Sequence, residues 1–157
     1  MAIRVYADTS VFGGILDAEF AVASNRFVEL VVGGAVTLVT SALVALEIDG
    51  APHSVRANYE RLRALAEVLP AGPEPLVLRE AFVAAGLVRA RSRADALHVA
   101  LAVVGECDAI VSWNFRDIVR YDLIPRYNSI SVRLGYRAIA IHTPPEVVSA
   151  FEDLQGR

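Results

Sequence analysis

The sequence predicts an α/β protein organised on a mostly parallel sheet. Three observations lead there. Short apolar stretches alternate with segments of helical periodicity, the pattern of βαβ units. Those stretches are only four or five residues long and carry little polar alternation, as strands covered on both faces do. Polar residues follow them directly: Asp8 after the first, and Ser112-Trp113-Asn114 at the end of the third. In open parallel sheets, function collects outside the carboxyl ends of the strands.

Taken in order, IRVYA at residues 3–7 reads as a buried strand, closed by the polar run Asp8-Thr9-Ser10. Asp17 is the expected N-cap of the next helix, whose stripe is Phe20, Ala23, Phe27, Leu30 and Val31, ended by Gly33-Gly34. TLVTS, residues 37–41, is the second strand. Ser41 is placed to cap a short helix carrying Glu47 and stopped at Asp49-Gly50. Pro52 opens a longer helix with the stripe Val55, Tyr59, Leu62, Ala66 and Leu69, and with Arg56–Glu60 and Arg63–Glu67 as outward i,i+4 pairs. Pro70, Gly72, Pro73 and Pro75 break the chain before a helix running to about Ala85. Ser92 then caps a helix that reaches Gly105. AIVS (109–112) and AIAI (138–141) are the third and fourth strands, and TPPEVVSAF opens a terminal helix.

At 157 residues the chain is expected to form one domain, residues 1–157, large enough to bury a core without disulfides. A single cysteine, Cys107, suits a reducing compartment. No signal-peptide pattern and no apolar run of membrane-spanning length is present. A soluble cytoplasmic protein is therefore expected. The net charge of −3 carries no global nucleic-acid signature. Its distribution is uneven: residues 89–137 hold 8 arginines against 5 acids, and residues 1–88 hold 6 against 10. Such a basic segment steers a polyanion locally or simply solvates helix faces.

The carboxylates each admit two readings. Asp8 is a turn cap or a ligand at a strand end. Glu47 alone reads as a solvated position, yet its helix has so few polar residues that a buried, partnered carboxylate is the other choice. Asp95 forms a capping-box pattern with Ser92, and His98 lies one turn on, more simply a packed histidine than a ligand. Asp117 reads more readily as a solvent-facing residue. Zinc-type HxxxH or CxxC spacing is absent. A cluster of carboxylates, by contrast, is what Mg²⁺ or Mn²⁺ demands.

Four motifs now stand in one order: VYADTSVF, Glu47 in SALVALEI, Asp95 in RADALHVALA, and IVSWNFRDI. Together they resemble the PIN-domain proteins, the family of VapC-type toxin ribonucleases, over nearly the whole chain. The NSISVRLGYRAIAIHTPPEVV tail is similar to one bacterial subgroup. The resemblance implies a three-layer α/β/α sandwich with a central, mostly parallel sheet of four to five strands. It implies a ribonuclease site in which Asp8, Glu47, Asp95 and Asn114 are the catalytic and metal-binding residues for Mg²⁺ or Mn²⁺. Ser10 and Asp117 would support them. Asn114 stands where many members carry a fourth acid. Arg89, Arg91, Arg93 and Arg116 flank these segments as RNA-phosphate contacts.

The resemblance also makes RNA the substrate, an antitoxin protein a natural partner and a homodimer the expected assembly. An apolar content of 55%, above the usual ~45–50%, agrees with an association face. Three other classes compete, of which a small-molecule-binding α/β domain lacks its glycine-rich fingerprint, since Gly13-Gly14 is not GxGxxG. A PIN-fold module that binds RNA or protein without cleaving it would explain Asn114. A haloacid-dehalogenase-like phosphatase would need an aspartate two residues after Asp8, where Ser10 stands.

Overall fold

The computed structural model describes residues 2–156. Five strands form one sheet: β1 Ile3–Ala7, β2 Val36–Ser41, β3 Glu67–Leu69, β4 Ala109–Val111 and β5 Ala140–His142. Every pairing is parallel, and the order across the sheet is β3-β2-β1-β4-β5. The register places Val5 beside both Leu38 and Ala109. Helices flank the sheet: α1 Thr9–Gly14, α2 Ala21–Val32, α3 Ala42–Asp49, α4 His53–Arg63, α5 Pro73–Ala84, α6 Arg93–Val104, α7 Ile124–Arg133 and α8 Pro144–Gln155. A single 3₁₀ turn, Ala90–Ser92, leads into α6.

The predicted fold class is the observed one. The central strands are buried toward their carboxyl ends, with Val5, Tyr6, Ala7, Val39, Ile110 and Val111 inaccessible to solvent. This burial on both faces is why their sequences lack alternation. Helix α2 packs on α8, and α5 on α6. Edge-on aromatic pairs, Phe12 on Tyr59 and Phe82 on Tyr127, tie helices into the core. No helix among the described residues is long and apolar enough to cross a membrane.

Four local expectations are corrected. The Pro52 helix ends at Arg63 rather than running through Leu69, because Glu67–Leu69 pairs with β2 as an edge strand. Glu67 accordingly binds Arg4, at 2.7 Å, and Arg63 pairs with Glu60 instead. Asp17 is not the N-cap of α2, which Phe20 occupies; its side chain accepts from the Glu19 amide in the preceding turn. Helices α1 and α7 were not expected.

The two ends of the sheet differ. At the amino end Arg4 closes the fold, donating to Glu67 and to the carbonyls of Gly105 and Glu106. The chain moves outward from β1 through β2 to β3, then crosses back to β4 on the other side of β1. That reversal opens a crevice between β1 and β4 at their carboxyl ends, the place where open α/β sheets bind ligands.

Candidate active site

Asp8 leaves β1 into this crevice. It occupies the N-cap position of α1 but makes no capping bond from its side chain, so the turn-cap reading does not describe it. Its carboxylate instead accepts from the hydroxyls of Ser10, at 2.5 Å, and Ser112, at 2.9 Å. At 3% exposure, burial pushes its carboxyl above the ordinary range, against the opposing pull of His98 and the two hydroxyls. Ser10 also accepts from the Trp113 amide, at 2.9 Å, which clips the loop after β4 onto the start of α1. Trp113 lies against Phe20, ring centroids 4.2 Å apart, and its indole N–H donates to Ser24.

Glu47 is delivered by α3. Ser41 caps that helix as expected, accepting from the Val44 amide. The carboxylate is not a free solvated group. Its Oε1 meets Thr9 Oγ1 at 2.8 Å and His98 Nε2 at 2.5 Å. Partial burial works against the charge, but the bonds from His98 and Thr9 prevail and hold it below the ordinary carboxylate range.

His98 is buried at 2% exposure, as the packing reading required, and its packing partners belong to the site. Its Nδ1 lies 2.7 Å from Tyr6 Oη, which lies 2.8 Å from Ser41 Oγ. The Tyr6 hydroxyl thus bridges Ser41 and one ring nitrogen of His98, while the other ring nitrogen is bonded to Glu47. Glu47 is thereby anchored to the core of β1 and β2.

Asp95 stands in the first turn of α6. Ser92 is the N-cap residue of that helix without a side-chain capping bond, so the capping box read from sequence does not form. Among the described residues no donor is bonded to the Asp95 carboxylate. Burial raises its pKa to about 6, helped by the charges of Asp117, Asp8 and Glu47 and opposed by His98. Charges from three other segments therefore act on Asp95.

Asp117 corrects an expectation. It is buried, 7% exposed, rather than facing solvent. Asn114 Oδ1 accepts from the amides of Arg116 and Asp117, at 3.2 and 3.0 Å, turning the chain so that Asp117 points inward. Arg116 Nε donates to its carboxylate and Tyr127 Oη to its carbonyl. Asn114 is thus occupied as a turn former, and Asp117 supplies the fourth negative charge. Among the described residues no three His, Cys, Asp or Glu side chains stand ready as a metal cage. Each acid except Asp95 is engaged in bonds of its own.

The arginines divide. Arg89, Arg91 and Arg116 line one cleft of about 310 Å³, with Asp117 in its wall. Arg93 does not line it and pairs with Glu80 at 3.3 Å. Arg120, which sequence reasoning passed over, takes its place. Sequence reasoning also gave no role to Ser112 or Tyr6. The position of Ser112 after a strand was a usable signal; Tyr6 inside β1 offered none.

No family model matches this sequence, and the comparison with curated proteins gives no match. Solved structures do match. One is VapBC2 from Rickettsia felis bound to a DNA fragment from their promoter, with a TM-score of 0.58 over 90% of this chain and 98% of the matched chain, at 11% sequence identity. At that identity the likeness is one of fold: this chain shares the architecture of a chain of VapBC2.

Proposed function

We propose that this protein is a divalent-metal-dependent ribonuclease of the PIN, VapC-like kind. The observation that carries the proposal is the gathering of Asp8, Glu47, Asp95 and Asp117 at the β1/β4 crevice. Burial first, and then the charges of Asp117, Asp8 and Glu47, raise the Asp95 carboxyl to about 6. Four oxygen-donor carboxylates that repel one another in the absence of a counter-charge fit a hard cation. Asp8, Glu47, Asp95 and Asp117 would hold Mg²⁺ or Mn²⁺, with the carbonyl of Asn114 beside them. When bound, the cation supplies an acidified water and a Lewis acid for the phosphoryl oxygen.

The chain's own contribution is orientation. Ser10 and Ser112 fix the Asp8 carboxylate. His98 and Thr9 both bond Oε1 of Glu47, which leaves Oε2 free to orient the attacking water. Asn114 aims Asp117. The resemblance and the fold shared with VapBC2 support a toxin role with an antitoxin protein as partner, and the resemblance alone suggests a homodimer.

The test is RNA cleavage by the purified protein with Mg²⁺ or Mn²⁺, beside Asp8→Asn and an EDTA control. Cleavage that requires the metal and is lost in the variant is expected. No cleavage of any RNA, together with no metal binding by calorimetry, favours the second reading, a PIN-fold module that binds RNA or a partner without cutting. The observation behind that alternative is the acid site's lack of a ready-made metal cage among the described residues.

A further inference from the structure

The arginine cleft beside the acid site has a shape and a neighbourhood that define a ligand. Arg89, Arg91, Arg116 and Arg120 face one opening, with Asp117 as the acid in its wall. Among the described residues Arg89 and Arg91 make no ion pair or side-chain hydrogen bond. Arg120 is held in place by Asp122, at 2.6 and 2.8 Å, and by the Arg116 carbonyl. Arg116 spends only Nε on Asp117. Several guanidinium N–H groups therefore remain for an anion, and some are already oriented, which lowers the ordering cost of binding. The volume sits at the lower end of small-ligand pockets, roughly 300 Å³ upward, suited to one phosphate and its sugar.

Two further features select the polymer. Ser92 and Asp117 both line the cleft, and Ser92 is the N-cap of α6, whose first turn carries Asp95, so the cleft opens beside the acid site. A phosphate seated on the arginines thus lies next to a phosphate over the carboxylates, as neighbours on one strand do. The same loop presents Phe115 and Tyr121, which are 52% and 95% exposed. Tyr121 directly follows Arg120 of the cleft, and a solvent-facing ring next to a basic groove is the pattern that holds unpaired bases by stacking.

We propose that this cleft is a backbone-phosphate subsite for single-stranded RNA, taking the phosphate that flanks the one at the carboxylates, with Tyr121 as a platform for the adjoining base. The subsite rests on the ribonuclease reading for its position on the strand, and its binding is measurable without cleavage.

The experiment is fluorescence anisotropy of the full chain with a labelled, unstructured oligoribonucleotide in EDTA, titrated with salt. Arg89→Gln/Arg91→Gln should weaken binding about tenfold, the worth of one charge-assisted hydrogen bond. It should also lower the slope of log K against log salt by about 0.7 for each phosphate the variant no longer neutralises. Arg61→Gln/Arg133→Gln, with the same charge change on exposed helix positions, should leave the slope in place. Tyr121→Ala should weaken binding roughly fivefold or more with the slope unchanged. Duplex RNA should bind less tightly and ignore Tyr121→Ala. Wild-type affinity and slope in the Arg89/Arg91 variant overturn the subsite, as does equal loss in the Arg61/Arg133 control. So does displacement of RNA by inorganic phosphate or an acidic peptide at comparable concentration. Separately, cleavage with Mn²⁺ alongside an unchanged slope sinks the subsite and keeps the nuclease. A lowered slope without cleavage keeps the subsite and sinks the nuclease.

Discussion

Asp95→Asn should make the metal-free protein more stable while abolishing cleavage. The Asp95 carboxyl titrates at about 6 in the fold against an ordinary 3.8. At 1.36 kcal/mol per pH unit, that difference bounds the cost of its charge at about 3 kcal/mol. The group is only half buried, so solvent screening reduces the figure to about 1.5 kcal/mol. Asp95 also sits in the first turn of α6, where a negative charge gains about 0.5 kcal/mol from the helix dipole. Repulsion and desolvation win, leaving about 1 kcal/mol in favour of the asparagine. For a chain of this size that is a rise in Tm of about 2–4 °C. The sign with pH is fixed. The folded pKa is raised, so the folded state holds the proton more tightly. Wild-type stability falls as pH climbs from about 4 to 6, and the penalty is complete above about 7. Thermal unfolding in EDTA at pH 7.5 and 4.5 should show the variant ahead at the higher pH and the gap narrowed at the lower. Mn²⁺ should then raise the wild-type Tm more than the variant's. A variant less stable than wild type at pH 7.5, or a gap unchanged at pH 4.5, refutes the reasoning.

Three other outcomes follow from the packing. Tyr6→Phe removes the hydroxyl between Ser41 and His98 and should cost about 1–3 kcal/mol, seen as a lower urea midpoint with the m-value unchanged. Thr40 Oγ1 is buried and has no hydrogen-bond partner among the described residues, so Thr40→Val should raise the same midpoint, by about 1 kcal/mol of stability. A Cβ on Gly14 would lie 2.7 Å from Trp113 Nε1 and 2.8 Å from Ser24 Oγ. Gly14→Ala should therefore destabilise by about 1–3 kcal/mol by calorimetry and depress metal-dependent cleavage, because the displaced tryptophan is bonded to Ser10.

What could be read from the chain was whatever short-range chemistry dictates. The strand β1 and its terminal Asp8, the Ser41 cap of α3 and the Gly34 and Gly86 helix ends, with φ of 81° and 78°, all announce themselves locally. The misreadings arose where distant partners decide. Edge strand β3 continues the helical spacing of α4, and only pairing with β2 makes it extended. Six-residue α1 contains two glycines, which mask its pattern. Helix α7 buries Tyr127 and Ser131, so its inward stripe is partly polar. Asp117 is carried inward by the Asn114 turn and covered by Tyr127, neither of which its neighbours in sequence reveal. Arg120 joins Arg89 only because the fold brings the loop after β4 to the 3₁₀ turn.

Trp113 has a consequence for how the protein can be observed. It is the sole tryptophan of the chain, and a single hydroxyl, that of Ser10, separates its amide from the Asp8 carboxylate. Its indole ring is packed on Phe20 and bonded to Ser24, so its emission reports how the loop after β4 is seated. The protein thus carries its own optical probe one residue from Asn114. Occupancy of the carboxylates can be followed by intrinsic fluorescence, on the unmodified chain and in real time, with no background from a second indole.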